Sequence, residues 1–327
     1  MPVHPSAYQA PFFLRRGHAQ TILGALTPAW ARPVFSPETL TLPDGDRLHL
    51  GWLRGGQLRL VILSHGLEGS MRAAYVRGMA AACARAGWDV LAWDYRGCGG
   101  RANLLPRSYH SGESGDLRHL ITHAAPGYDS VALVGFSLGG NITLKYLGES
   151  PPHPAVRAAA AVSTPVDLAS SARALDEHPA CRLYQRRFLR SLLAKAEEKA
   201  RRFPRVLPPG GLAGIRTIRD FDERFTAPLH GFRDAADYYA RASSLPHLNS
   251  ITVPALLLNA ADDPLLEPPS YPGGAAAENA ALHLEIPAHG GHVGFLTHGL
   301  RRWHERRVLD FLANSSPSKP THSRLHA

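Results

Sequence analysis

Seven short apolar, β-branched runs recur along the chain, and helical patterns fill several of the intervals between them. The runs are LHLGWL from residue 48, LRLVILSH from 58, WDVLAWD from 88, SVALVGF from 130, RAAAAVS from 157, VPALLLNA from 253 and LHLEIP from 282. Each is short and bounded by turn-forming residues, as strands are. The helical patterns are SMRAAYVRGMAAACARAG, stopped by Gly87, then SGDLRHLITHAA, LGGNITLKYLGES and, near the end, LRRWHERRVLDFLANS. Hairpins join antiparallel strands, whereas parallel strands need crossover helices. The order therefore predicts an α/β fold, a mainly parallel central sheet with helices on both faces. It also predicts where chemistry sits, because ligands of such sheets gather beyond the carboxyl ends of the strands.

The rhythm fails once. From residue 169 to 250 the strand signals vanish, and segments such as RVLPPGGLAGIRTIRDFDERF and ADYYARASSLP take their place. That is too long for a simple connection and reads as a helical cap inserted into a single domain spanning residues 1–327. The tail NSSPSKPTHSRLHA, residues 314–327, has little to bury and reads as disordered. Three cysteines, Cys83, Cys98 and Cys181, are too few and scattered for a disulfide framework or a paired-thiolate zinc site, which points to a reducing, cytoplasmic compartment. The N-terminus has prolines where a signal peptide has its apolar core, and no stretch approaches the roughly 20 apolar residues of a membrane span.

A formal charge of +9 raises the question of a nucleic-acid partner, but the excess is local: residues 182–205 hold nine Lys or Arg against two Glu. Within them Phe188, Leu189, Leu192 and Leu193 fall at helical spacing with basic residues between, an amphipathic helix with a cationic outer face. Such a face is ordinarily solvated, with peripheral contact to an anionic membrane or binding of an anionic substrate as the functional alternatives; no nucleic-acid partner is expected.

LVGFSLGGN, residues 133–141, places Ser137 between Gly135 and Gly139, with a strand before it and a helix after it. A serine at such a turn projects its oxygen from the sheet edge, and small flanking residues let the turn close. The Leu138 N–H then lies at a helix N-terminus, directed at any oxyanion formed there. A serine hydroxyl at neutral pH needs a base, and the base needs an orienting acid. Two later strand ends supply them: ADDPLL offers Asp262 and Asp263, and AHGGHVGF offers His289 and His292.

His292 is favoured because Gly290 and Gly291 precede it and would let an imidazole approach the serine; Asp263 is favoured because Pro264 biases it away from helix. The other aspartate then caps a turn or meets solvent. SHGLEGS provides the second oxyanion donor, the N–H of Leu67, with Gly66 permitting the turn and His65 as a structural hydrogen-bonding residue. Cys98 has no base paired with it. Neither a His-Glu-x-x-His pattern, a phosphate-binding glycine loop nor a dinucleotide fingerprint is present, so no metal or cofactor is expected.

GHAQTIL, HGLEGS, DYRGCGG, YHSGESGDLRH, GFSLGGNITLKYLGE, RLYQRRFLRSL, FDERFTAPLHGF, DYYARASS, NAADDPLLEP and HGGHVGF occur in that order over nearly the whole chain. In these stretches it resembles the α/β-hydrolase superfamily, specifically the YheT-like branch of predicted carboxylesterases. The resemblance implies Ser137 as nucleophile, Asp263 as acid and His292 as base. It also implies cleavage of short- to medium-chain carboxylic esters, with relatives acting on monoacylglycerols or other lipids, and no cofactor. Glu267 departs from the branch, which usually has proline near this position. Two alternatives accompany this expectation: an acyltransferase with the same triad, and a non-catalytic lipid- or ligand-binding member of the fold.

Overall fold

Strand β4 (Arg59–Ser64) shows how the sheet is built, since its alternate side chains enter two different cores. Leu60 and Ile62 pack with Leu117, Leu120 and Ile121 on one face, while Val61 and Leu63 meet Val76, Met79, Val308 and Leu312 on the other. A strand apolar at every position must be covered on both sides, which is the condition for helices on both faces. Each of these β4 side chains is fully buried, and each burial stabilises the fold by roughly 1.5–3 kcal/mol.

The computed structural model describes residues 3–207 and 210–315. Before β4 come β1 (Val3–His4), α1 (Gly17–Leu26), β2 (Ser36–Thr41) and β3 (Arg47–Leu53). After it come α2 (Ala74–Arg85), β5 (Asp89–Asp94), α3 (Ser114–Ala124), β6 (Ser130–Phe136), α4 (Leu138–Glu149) and β7 (Val156–Val162). Helices α5 (Leu168–Glu177), α6 (Arg182–Arg202), α7 (Ile218–Phe221), α8 (Ala227–Leu229) and α9 (Ala235–Ala242) fill the interval to β8 (Ala255–Leu258). The chain then runs through α10 (Gly273–Glu278), β9 (Leu282–Glu285) and α11 (Trp303–Ser315).

Among the described residues the strands form one nine-stranded sheet in the order β1-β9-β8-β7-β6-β4-β5-β3-β2. All neighbours from β1 to β5 are parallel, and β3 runs antiparallel to both β5 and β2. The seven runs read as strands are all strands. The two others left no apolar pattern: β1 is two residues long, and β2 is the exposed edge SPETLT. Helices α1 and α10 also escaped notice, because each opens on glycine.

The helices between β7 and β8 enclose a small core of their own, in which Leu189 and Ala196 of α6 meet Ile218, Phe221, Phe225 and Leu265. Phe188, Leu192 and Leu193 pack against it. The cationic outer face of α6 keeps Arg182, Arg186, Arg187, Arg190, Arg201 and Arg202 exposed. Two of its lysines turn inward instead. Lys199 is 5% exposed, and its ammonium donates to Asn103 Oδ1, Leu105 O and Arg107 O at 2.6, 2.9 and 3.2 Å. Burial lowers its pKa to about 8. Asn314 and Ser315 belong to α11 and not to the expected tail, whose remaining residues, 316–327, lie outside the described ones. No described helix is long and apolar enough to cross a membrane.

Candidate active site

Ser137 joins β6 to α4 with φ 52° and ψ −120°, a left-handed conformation costing on the order of 1–3 kcal/mol for a residue with a Cβ. Its N–H donates to Val162 O of the neighbouring β7 at 2.8 Å, which holds the turn against the sheet. The flanking glycines are required by backbone proximity. A Cβ on Gly135 would lie 2.2 Å from Gly139 O, and one on Gly139 would lie 2.5 Å from Ser64 O. Main-chain atoms at the centre of the sheet have nowhere to retreat. Gly135→Ala is therefore expected to destabilise the fold by about 3 kcal/mol or more, a loss that thermal or urea unfolding would register.

His292 Nε2 stands 2.9 Å from Ser137 Oγ, and His292 Nδ1 lies 2.8 Å from Asp263 Oδ2 and 3.1 Å from Oδ1. Asp263 is 4% exposed, and Leu265 N–H donates to its Oδ1 at 2.9 Å. Asn259 braces this loop, accepting from Thr164 N–H while donating to Thr164 O and Ser270 O. The loop of His292 is pinned from two sides: its own N–H donates to Thr21 Oγ1 of α1, and Val293 N–H donates to Ser163 Oγ beyond β7, both at 2.8 Å. Thr21 is a supporting residue the sequence reading missed, although GHAQTIL was among the matching stretches.

Asp262 turns the other way. It accepts from Gly291 N–H at 2.9 Å and faces His289 Nδ1 at 3.4 Å, so it fastens the turn that carries His292. Gly290 and Gly291 correct one expectation. Their missing side chains make room for Phe295 and for Gly17 O, which Cβ atoms there would approach to 2.6 and 2.3 Å, and not for the serine.

Gly66 abuts the elbow, since a Cβ on it would lie 3.2 Å from Ser137 Cβ. The N–H groups of Leu67, after β4, and of Leu138, at the start of α4, make no hydrogen bond among the described residues. His65 is fully buried. Its Nδ1 lies 2.8 Å from Gly66 O and its Nε2 accepts from Tyr95 N–H at 3.4 Å, while burial drives its pKa down to about 3 and keeps it neutral. Burial also raises the Cys98 thiol to about 12, so it stays protonated. Ser137, Asp263, His292, Leu67 and Leu138 thus lie together at one sheet edge.

A cavity of about 90 Å³ opens over Ser137 and His292, lined by Leu168, Leu175, Phe188 and Ile218 from the α5–α9 stretch and by Leu266. A second, of about 350 Å³, adjoins it and shares Leu67, Ser111, Leu138, Ile218, Asp222 and Tyr238. Asp222 opens a π-helical turn, Asp222–Thr226, and accepts from Thr226 Oγ1 at 2.7 Å and Tyr239 OH at 2.8 Å. Burial, helped by the nearby Asp176 charge, pushes its carboxyl up to about 7. The native state then holds a proton that the unfolded chain releases, so stability falls as pH rises from about 4 to about 7. Asp222→Asn should match the parent below that window and melt about 2–5 °C higher above it, as calorimetry at several pH values would show.

Comparison with known proteins agrees on the fold. The family described as the alpha/beta hydrolase fold matches residues 59–299. A protein of Escherichia coli strain K12 designated YheT, named as a candidate esterase, is 36% identical over 92% of each chain. The human phospholipase ABHD3 is 28% identical over 90% of this chain and 75% of its own. The monoacylglycerol lipase of Saccharomyces cerevisiae is 31% identical over 77% of this chain and 58% of its own.

Proposed function

The chain belongs to the α/β-hydrolase family, in its YheT-like branch, and from that footing we propose that it is a serine hydrolase of carboxylic esters. The observation that carries the reading is the unbroken line from Asp263 through His292 to Ser137 Oγ, at 2.8 and 2.9 Å. His292 takes the proton of Ser137 as Oγ attacks the ester carbonyl, and Asp263 accepts Nδ1–H and stabilises the imidazolium. The carbonyl oxygen becomes an anion received by the N–H groups of Leu67 and Leu138, one at a loop and one at a helix N-terminus. Collapse of that intermediate expels the alcohol, which takes the proton from His292, and leaves the acyl group on Ser137. Water, deprotonated by His292, then releases the acid.

Helices α5–α9 act as a cap over this site, and the small apolar space beside Ser137 favours short to medium acyl chains on a lipid or small-molecule alcohol. The names of the phospholipase and monoacylglycerol lipase relatives support an ester of lipid type. The test is a p-nitrophenyl ester series from acetate to palmitate. kcat/KM should peak at short or medium chains, and free acid should remain the main product when glycerol is added. A maximum at palmitate, or conversion of the acyl group to a glycerol ester, would replace this reading with a long-chain lipase or an acyltransferase.

The same reading extends to a membrane surface. Phe12, Phe13, Leu26 and Trp30 are 83, 66, 72 and 68% exposed, and His18 Nδ1 meets Tyr184 OH at 3.0 Å, joining this N-terminal region to α6 with its outward arginines. Aromatic side chains beside a cationic helix suit an anionic lipid interface. Flotation should recover the protein with anionic vesicles at low salt, and not with neutral vesicles or at about 0.5 M salt, where the charges are screened.

A further inference from the structure

Gly66, Leu67, Glu68 and Gly69 form a β-turn closed by Gly69 N–H donating to Gly66 O at 3.0 Å. Its third residue, Glu68, has φ 54°. A positive φ at that position belongs to the turn type that ordinarily takes glycine there, because a Cβ crowds the backbone. Glutamate holds the shape against its own preference, and two sets of contacts explain how.

The first set lies within the sheet domain. Tyr109 OH accepts from Glu68 N–H at 3.0 Å and donates to Glu68 Oε1 at 2.7 Å. This fixes the plane of the peptide between Leu67 and Glu68, the one that rotates when such a turn changes type. The second set comes from α6. Lys195 Nζ donates to Glu68 Oε1 at 2.8 Å and Ser191 Oγ donates to Oε2, leaving the Glu68 side chain 5% exposed. Three donors thus converge on one carboxylate, two of them from a helix that lies more than a hundred residues away in sequence.

We propose that Glu68 is a positioning residue, whose carboxylate latches α6 to the turn carrying the Leu67 N–H. The turn keeps its oxyanion-binding shape while α6 is seated. Withdrawal of Ser191 and Lys195 leaves only the Tyr109 contacts to hold Glu68 at positive φ, so the turn loosens and the Leu67 N–H it carries loses its fixed direction. Cap closure and assembly of the oxyanion site become one event, so ester chemistry is restricted to the closed state. This rests on the serine-hydrolase reading.

The test compares two variants at one position with a pair on α6, using a p-nitrophenyl ester on the full chain. Glu68→Ala removes the carboxylate and keeps a Cβ that resists positive φ. Glu68→Gly removes the same carboxylate and adopts positive φ freely. The latch predicts that Glu68→Ala lowers kcat by about 10- to 100-fold with KM nearly unchanged, comparable to losing part of an oxyanion donor. It predicts that Glu68→Gly recovers most of that loss, and that the Ser191→Ala/Lys195→Met double variant falls with Glu68→Ala.

A role in bulk stability or charge alone would affect alanine and glycine alike. Equal kcat in those two variants, at any level, overturns the latch, as does a loss confined to KM. Failure of the parent chain to turn over esters or to react with a fluorophosphonate overturns the underlying hydrolase reading instead, so the two failures are distinguishable.

Discussion

Ser137→Ala is expected to lower ester turnover on the order of 10⁴-fold or more, with KM little changed, in a steady-state assay on a chromogenic ester. The hydroxyl is the attacking atom in the proposed mechanism, so its loss removes the acyl-enzyme route and leaves only what the oxyanion donors and binding contribute. Because Ser137 and His292 act as a unit, the Ser137→Ala/His292→Ala double variant should be no slower than Ser137→Ala alone. Fluorophosphonate labelling should vanish in both. A Ser137→Ala enzyme that keeps most of its activity would place the chemistry elsewhere. The structure should survive the change, since Ser137 leaves its φ of 52° to a residue of similar size and its N–H still donates to Val162 O.

Asp263→Asn is expected to cost about 10³- to 10⁴-fold in kcat at neutral pH. Both Asp263 oxygens face His292 Nδ1, at 2.8 and 3.1 Å, so that nitrogen carries the proton and Nε2 is free to accept from Ser137. An amide cannot neutralise the imidazolium, and in one orientation it donates to Nδ1 and leaves the proton on Nε2, where it blocks attack. Asp262→Asn is the matched control. Its remaining carbonyl can still accept from Gly291 N–H, so the loss should stay below about tenfold. If Asp262→Asn is the variant that collapses, the orienting acid has been assigned to the wrong neighbour.

How much of this was readable beforehand depended on the range of the interaction. Leu60 to Leu63 announce a doubly covered strand because each residue's side of the sheet follows from its place in the alternation. Ser137 announces a strand-to-helix turn because Gly135 and Gly139 are its immediate neighbours. The edge strand SPETLT gave no such signal, since an exposed strand is selected by pairing with β3 and not by its own apolar residues. Lys195 and Lys199 follow Phe188 and Leu192 by seven residues, so helical spacing turns them toward the body of the protein but does not name what they meet. Their acceptors, Glu68, Asn103 and two loop carbonyls, lie 92 to 127 residues earlier in the chain.

The sequence by itself determined the order of seven strands and of the helices between several of them, the elbow at Ser137, and the presence of an acid pair and a histidine pair at two later strand ends. Those follow from patterns within about ten residues, where backbone propensity and side-chain periodicity act. Only the tertiary structure decided that Asp263 faces His292 while Asp262 holds the turn, that Thr21 supports the base, and that Glu68 reaches α6. His292 lies 155 residues from Ser137 and Ser191 lies 123 from Glu68. The direction of a side chain across such distances is set by how whole layers pack, and no local pattern encodes it.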